Sequence, residues 1–380
     1  MRVYLDNAAT TAVRAEVIDA MLPYMGVKFG NASSLHAPGR DAREALEAAR
    51  ASLAKRLGAD PREVIFTSGG TEGNNMALKG IASEHPKGGH IITSKIEHSS
   101  ILNPLKWLEG RGYEVTYLDV DGFGIVDPKK VDEAVRKDTI LITIGHGNNE
   151  IGTLQDVEAI SKVANEHTVP FHTDACQSFT KTSLDAGRMN LDMVTVNAHK
   201  INGPKGIGAL VVRKGAKIAP LLHGGEQERR LRPGTENVGS AVGFAKAAEL
   251  VTPKEVEHMR VLRDMLIKGV LDGVEGVRLN GHPGKRLANN ANFTFAGIEG
   301  EALLLRLDMK GVYCSSGSAC SSQSLEPSHV ILALGSRVEE SHGSLRATVG
   351  WENTAEEVDY AVGVIKAEVG SLRRISPMGR

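Results

Sequence analysis

Lys200 follows His199 directly, stands just past the apolar run Met193–Val196, and leads into the turn Gly203-Pro-Lys-Gly206. A lysine at a strand end, ahead of a tight turn, suits Schiff-base chemistry with a carbonyl compound. That chemistry needs the amine unprotonated part of the time, and burial beside other cations lowers a lysine from its ordinary value of about 10.4. Cys320 lies far downstream in Ser315–Ser324, where six of ten residues are serine. Such a stretch cannot pack a core, so it predicts an exposed, mobile loop carrying a thiol; a tolerated surface cysteine is the plainer alternative. An amine for carbonyl chemistry together with a thiol on a loop points to chemistry on sulfur.

Other candidates carry a chemical reading and a plain one side by side. Ser68-Gly-Gly-Thr71-Glu-Gly-Asn-Asn75 follows an apolar run and opens a helical pattern. Its backbone amides, the Thr71 hydroxyl and the helix dipole would seat a phosphate, or the segment is a Gly-rich turn with Thr71 as N-cap. Asp174, three residues before Gln177, ends a strand-like run; a carboxylate there can hold a pyridine nitrogen protonated, or cap a helix. His98, in Glu97-His-Ser-Ser100, could stack on a ring and move protons near neutral pH, or be one of the ordinary members of the 13 histidines. Arg346 reads as a bidentate clamp for a carboxylate or as a surface salt bridge. Leu231–Asn237, with Thr235, reads as a polar loop, while Cys176 and Cys314 read as structural. No His-Glu-x-x-His and no Cys-x-x-Cys occurs, so a protein-held zinc has no support.

These residues need a scaffold that brings strand ends together. Seven apolar runs, Val64–Thr67, His90–Thr93, Val115–Leu118, Ile140–Ile144, Val169–Thr173, Met193–Val196 and Ala209–Val212, mostly alternate with amphipathic segments. That pattern predicts an α/β fold with a mainly parallel seven-stranded sheet and helices on both faces, whose ligands sit at the carboxyl ends of the strands. Helices are expected over 42–56, 72–79, 239–250, 253–271 and 356–373, with strands and helix mixed over 277–305. The 380 residues exceed one comfortable core, so a second, smaller α+β domain is expected. A net charge of −1 argues against a general nucleic-acid or anionic-membrane binder. No apolar run approaches the ~20 residues of a membrane span. With three scattered cysteines and no signal-peptide pattern, the protein is expected in the cytoplasm with reduced thiols.

Taken together, seven segments in order resemble the cysteine desulfurases. They are Tyr4-Leu-Asp-Asn-Ala-Ala-Thr-Thr11, Gly30–His36, Phe66–Glu72, Asn148-Asn-Glu-Ile-Gly-Thr153, the Lys200 motif, Gly224–Glu228 and Ser315–Cys320. The serine-rich loop followed by Leu325–Val330 is similar to the long-loop subgroup that feeds iron–sulfur assembly. The resemblance implies the aspartate aminotransferase-like fold of the fold-type I pyridoxal 5'-phosphate enzymes. The large cofactor domain would span 13–250, and the small domain 1–12 and 251–380, with the cysteine loop at about 313–327. It implies that L-cysteine becomes L-alanine, leaving a persulfide on Cys320. Lys200 would bond the cofactor, Asp174 pair with its ring nitrogen, Gln177 bond its ring oxygen and His98 stack on it. Gly70, Thr71, Asn197 and His199 would hold the phosphate, with Thr235 reaching in from a second subunit of a homodimer. Asn149 and Arg346 would receive the substrate carboxylate. A U-type iron–sulfur scaffold protein is the implied sulfur acceptor, with transfer toward tRNA thiolation as the alternative. No resident metal is implied, only passing ligation of a cluster iron by Cys320. Departures from the family pattern are Asn197 in place of serine, Ala32 of proline, Pro233 of serine, and a thiol at Cys176. The rival readings are a selenocysteine lyase and a degenerate desulfurase that only docks.

Overall fold

The structure, a computed structural model, describes residues 1–316 and 327–375. The chain opens with a short strand, β1 (Val3–Tyr4), then builds the main sheet from β2 (Val64–Thr67), β3 (His90–Ser94), β4 (Glu114–Leu118), β5 (Thr139–Thr143), β6 (Phe171–Asp174), β7 (Met193–Asn197) and β8 (Gly208–Val212). Their order is β2-β8-β7-β6-β5-β3-β4. β8 pairs antiparallel with both neighbours, and all other pairs are parallel. The interior strands β3, β5 and β7 are buried at every residue, and their centres, rich in Val, Ile, Leu and Thr, suit a strand covered on both faces. The edge strand β4 is buried only at Leu118, which suits its Glu114 and Tyr117. β6 begins at Phe171 rather than Val169 because Pro170 has no N–H to give the ladder; its carbonyl instead accepts from Ile142.

Two hydrophobic cores sandwich this sheet. One holds Phe66, Ile142, Phe171, Val194 and Phe244, and the other Ile65, Met76, Ile91, Leu141 and Leu210. A third, separate core gathers Val3, Leu5, Leu262, Phe293, Leu345 and Ile365. It lies around the antiparallel sheet of β9 (Val277–Leu279), β10 (Asn290–Phe295) and β12 (Ser344–Thr348), with β1 beside β11 (Val312–Tyr313).

Helix boundaries follow local chemistry. The helix Ala37–Leu57 starts five residues before the expected 42, because Pro38 fits the first turn and the His36 ring accepts from the Gly39 amide. It stops at Gly58, whose φ of 63° closes the last turn. The helix Pro253–Gly273 starts on a reciprocal Thr252/Glu255 cap.

Candidate active site

The carboxyl ends of β2, β3, β5, β6 and β7 meet the start of the chain and β12 around one cavity of about 280 Å³. β2 delivers Gly70 and Thr71, β3 delivers Glu97 and His98, β5 delivers Asn148 and Asn149, β6 delivers Asp174, Cys176 and Gln177, and β7 delivers Asn197, His199 and Lys200. Ala8 and Ala9, from the start of the chain, and Arg346, on β12, close it. An open parallel sheet leaves its crevice at this edge, so residues far apart in sequence arrive together.

Asp174 anchors the floor. Its Oδ2 accepts from Asn74 Nδ2 at 2.7 Å and its Oδ1 from the Cys176 amide at 2.9 Å. Burial opposes its charge, yet His98, those two donors and Lys200 hold it below the ordinary carboxylate range. Asn74 also donates to Ser100 Oγ at 2.8 Å. Ser100 in turn holds His98, with its hydroxyl 2.7 Å from Nδ1 and its amide donating to the same atom at 3.0 Å. That pattern places the ring proton of the neutral imidazole on Nε2, and burial lowers the ring's pKa, with Asp174 opposing and Lys200 assisting.

The helix Gly70–Glu84 points its amino end at the cavity. Its cap is Gly69, at φ 153° with no capping side chain, so Thr71 lies inside the first turn and is not the N-cap. The first amides of that turn are thereby left to a ligand. Gly70 is obligatory for a different reason, since a Cβ there would lie 2.5 Å from Cys176 Sγ. The Cys176 thiol is pushed well up by burial and then by Asp174, so it stays protonated and inert. His199 is lowered to about 4 by burial, Lys200, Lys205 and Lys181, and its Nδ1 lies 3.2 Å from Thr10 Oγ1. Gln177 Nε2 donates to the Ala8 carbonyl at 2.9 Å, while Gln177 Oε1 and Asn197 Oδ1 are buried with no protein partner.

Arg346 is buried and not a surface pair. Its Nη1 donates to the Asn149 carbonyl at 3.0 Å and its Nη2 to Asp6 Oδ1 at 2.9 Å, and its Nε has no protein partner. Five residues play parts that their sequence context did not announce: Asp6 against Arg346, Asn74 between Asp174 and Ser100, Glu97, Glu150 and Lys181. Glu97 accepts from Ser94 Oγ at 2.6 Å and from the Gly145 amide at 3.0 Å, and burial pushes it up to about 7. Glu150, pushed up to about 7 by burial, accepts from Ser328 Oγ at 2.5 Å. The adjacency of Glu97 to His98 was the one available signal.

Thr235 is exposed and does not line the cavity of its own chain. Cys320 lies outside the described residues. Cys314, pushed up to about 12 by burial, is no nucleophile. No metal-binding group of His, Cys, Asp and Glu forms among the described residues, and none of their helices is long and apolar enough to cross a membrane.

The profile of the class-V aminotransferase family matches residues 3–361. "Cysteine desulfurase IscS" of Methanosarcina thermophila is 52% identical over 380 residues, covering 99% of this chain and 94% of that protein. Among solved structures, a "NifS-like protein" superposes with a TM-score of 0.91 at 36% identity, over 98% of this chain and all of that one. "SspA in complex with cysteine" superposes with a TM-score of 0.84 at 37% identity, over 93% of this chain and all of that one.

Proposed function

The chain belongs to the cysteine desulfurases of the class-V aminotransferase family, and from that premise we infer how its cavity turns L-cysteine into L-alanine while passing sulfur to Cys320. The enzyme depends on pyridoxal 5'-phosphate, and the residues present fit that group. A carboxylate kept ionised in a buried wall suits an aromatic nitrogen held protonated. An uncapped helix start suits a phosphate. Gln177 Oε1 and Asn197 Oδ1, on the same wall, have no protein partner, and turning either amide about its last bond presents an N–H to an oxygen of the ligand. Lys200 would hold the cofactor covalently, with Asp174 at the ring nitrogen, Gln177 at the ring oxygen and His98 over the ring. Gly70, Thr71, Asn197 and His199 would surround the phosphate. Bound there, pyridoxal phosphate supplies an electron-poor ring that draws off the bonding pair at the substrate Cα.

The chain's own groups do the rest. Arg346 receives the substrate carboxylate beside Asn149, offering the unpartnered Nε together with its second Nη2 hydrogen, while Asp6 and the Asn149 carbonyl fix the plane of the fork. The Lys200 amine, displaced by the substrate amine, accepts the Cα proton. His98, with Nδ1 engaged by Ser100, is a proton donor at Nε2 rather than the base for a thiol. The Cys320 thiolate attacks the substrate sulfur. An S–S bond forms as the Cβ–S bond breaks, the electron pair stays with Cβ, a proton added there completes the methyl group, and Lys200 returns the proton it took to Cα, giving alanine. An ordinary thiol of pKa about 8.5 is only a few per cent ionised at pH 7, so the attack depends on a base.

The convergence of Asp174, His98, Lys200 and Arg346 on one cavity carries this reading. A homodimer belongs to it, with Thr235 serving the neighbouring phosphate. Its support is the exposure of Thr235 and of four apolar side chains close in sequence, Met25, Val27, Phe29 and Leu35. The division into 13–250 and 1–12 plus 251–380 is supported by the separate cores. A U-type iron–sulfur scaffold as acceptor and a cytoplasmic location complete the proposal. To test it, the purified protein is given L-cysteine and a reductant, with its visible spectrum recorded first. A visible cofactor band with alanine and sulfide in equal amounts is expected. A band without products would refute the reaction, and no band after added pyridoxal phosphate would refute the role of Lys200.

A further inference from the structure

Behind Lys200 lies a second, much smaller cavity of about 20 Å³, lined among others by Arg14, Thr180, Lys181, Asn289 and Trp351. Among the described residues, Lys200 alone lines both cavities, so it forms the wall between them. The lining is polar in a way the fold does not resolve by itself. Arg14 Nε, Thr180 Oγ1, both amide atoms of Asn289 and Trp351 Nε1 are all buried without a protein partner. Buried polar atoms are rarely left unpaired, and five around one small space call for a shared partner. Roughly 10–15 Å³ of such volume holds one water, so the chamber has room for one such molecule with two to four hydrogen bonds.

Lys181 is part of this wall and 7% exposed. Its Nζ donates to the Gln177 carbonyl at 3.2 Å, which leaves two of its three hydrogens for other acceptors. Thr180, just before it, sits at φ 65°. A β-branched residue in the left-handed region is a strained outlier, and such strain collects where a side chain must be aimed. Here the turn brings Lys181 inward beside Lys200.

We propose that the chamber is a water site and that Lys181, through this water, is a positioning residue for Lys200, exchanging a proton with it on the face away from the cofactor. This rests on Lys200 being the cofactor lysine. Burial, then Lys200, lowers the Lys181 ammonium to about 7, so it changes charge within the working range. The other titratable groups facing it do not compete. Cys176 stays a thiol, His199 stays neutral, and Glu255, the sole carboxylate among the described lining residues, is committed to Arg14 at 2.9 Å.

The test uses holoenzyme carrying Lys181→Met or Lys181→Arg, and reads the pH midpoint of the visible band of the Lys200-bound cofactor. Removing a neighbouring ammonium favours the protonated nitrogen, so Lys181→Met should raise the midpoint by about one pH unit, a tenfold change in the proton equilibrium. Lys181→Arg, permanently charged, should leave it at or below the wild-type value. A high-resolution crystal structure of the wild type should show water bonded to Lys181 Nζ and Asn289. Should Lys181→Met fail to fold, Asn289→Ala, which strips two partners from the water, is expected to move the midpoint in the same direction by less. An unmoved midpoint in variants that bind the cofactor, or a dry chamber, would overturn the proposal. A wild-type protein with no band at all would instead overturn the role given to Lys200.

Discussion

Gly70→Ala tests the tightest contact in the cavity wall. A Cβ at this position falls 2.5 Å from Cys176 Sγ and 3.5 Å from Asn197 Nδ2. Comfortable heavy-atom contact begins at about 3.5 Å, so roughly 1 Å must be found. The sulfur cannot yield it freely, since Cys176 is 5% exposed and its amide is tied to Asp174 Oδ1 at 2.9 Å. Overpacking of this kind costs about 1–3 kcal/mol, and alanine returns at most about 0.5–1 kcal/mol of helix preference. The remaining strain, about 1–2 kcal/mol, falls on the start of the helix and on Asp174, the two features proposed to hold the cofactor. Titrating apo-enzyme with pyridoxal phosphate should therefore show binding weakened about 5- to 30-fold. Cys176→Ala alone should change little, because the thiol is protonated and a thiol makes only weak hydrogen bonds, such as its 3.9 Å contact with the Thr195 carbonyl. The double variant should return to within about threefold of wild type, the signature of two residues coupled through one contact. Wild-type affinity in Gly70→Ala, or a double variant no better than the single, would refute the reasoning.

Arg346→Lys keeps a cation but loses the fork, so KM for L-cysteine should rise about 10- to 30-fold while the cofactor spectrum is unchanged; an unaltered KM would remove Arg346 from the substrate site. Burial raises Glu97 from an ordinary value of 4.5 to about 7 in the folded chain, so the native state binds that proton more tightly than the unfolded one. Its contribution is therefore complete below about pH 4.5 and is lost as pH climbs through 7, by about 3 kcal/mol. Urea denaturation at pH 5 and pH 8 should find a smaller pH loss in Glu97→Gln than in wild type, and parallel profiles would count against the buried acid. Cys320→Ser should abolish alanine release from L-cysteine with the cofactor still bound; unchanged turnover would exclude Cys320 as sulfur acceptor. Arg50→Ala strands the buried Glu228 carboxylate, which Arg50 grips at 2.7 and 2.8 Å, and should cost about 3–5 kcal/mol in urea unfolding; a loss below 1 kcal/mol would mean the pair relaxes into solvent.

What could be read in advance divides along a physical line. The strands were legible because the centres of β3, β5 and β7 are short runs rich in Val, Ile, Leu and Thr, which admit few alternatives once both faces are buried. Lys200, Asp174 and His98 were legible because each ends such a run, and the topology of a parallel sheet gathers its strand ends at one edge. Asp6, Asn74 and Lys181 were not, since a polar residue in a loop or helix shows its burial only when a distant element covers it. Asn74 is seven residues from Thr67 along the chain, but its partners Asp174 and Ser100 come from two other strand ends. The capping assignment of Thr71 failed for a local reason, because Gly69 reaches a φ of 153° and begins the helix two residues earlier. Arg346 departed from its plain reading as a surface salt bridge, because its partners Asp6 and the Asn149 carbonyl lie in a buried wall, and its Nε is left for the carboxylate proposed above.

The charges around the cavity form a consistent design. Its histidines carry little charge: His98 is lowered by burial and Lys200, His199 to about 4 by burial and three lysines, and the neighbouring His146 to about 4 by burial. Glu97 in its wall and Glu150 behind Asn149 are pushed up to about 7 by burial, which halves their negative charge near neutrality. Only Asp174 is both buried and held down, because two hydrogen-bond donors and two nearby bases support it. A site built this way offers one firm negative charge on its floor and neutral dipoles, a guanidinium and an uncapped helix start elsewhere. A protonated ring nitrogen can therefore sit in only one place, and a phosphate and a carboxylate are repelled from that place alone. In the proposed reaction the orientation of the bound molecules would follow from this asymmetry before any contact of shape is counted, with Asp174, Lys200 and Arg346 lining the same cavity.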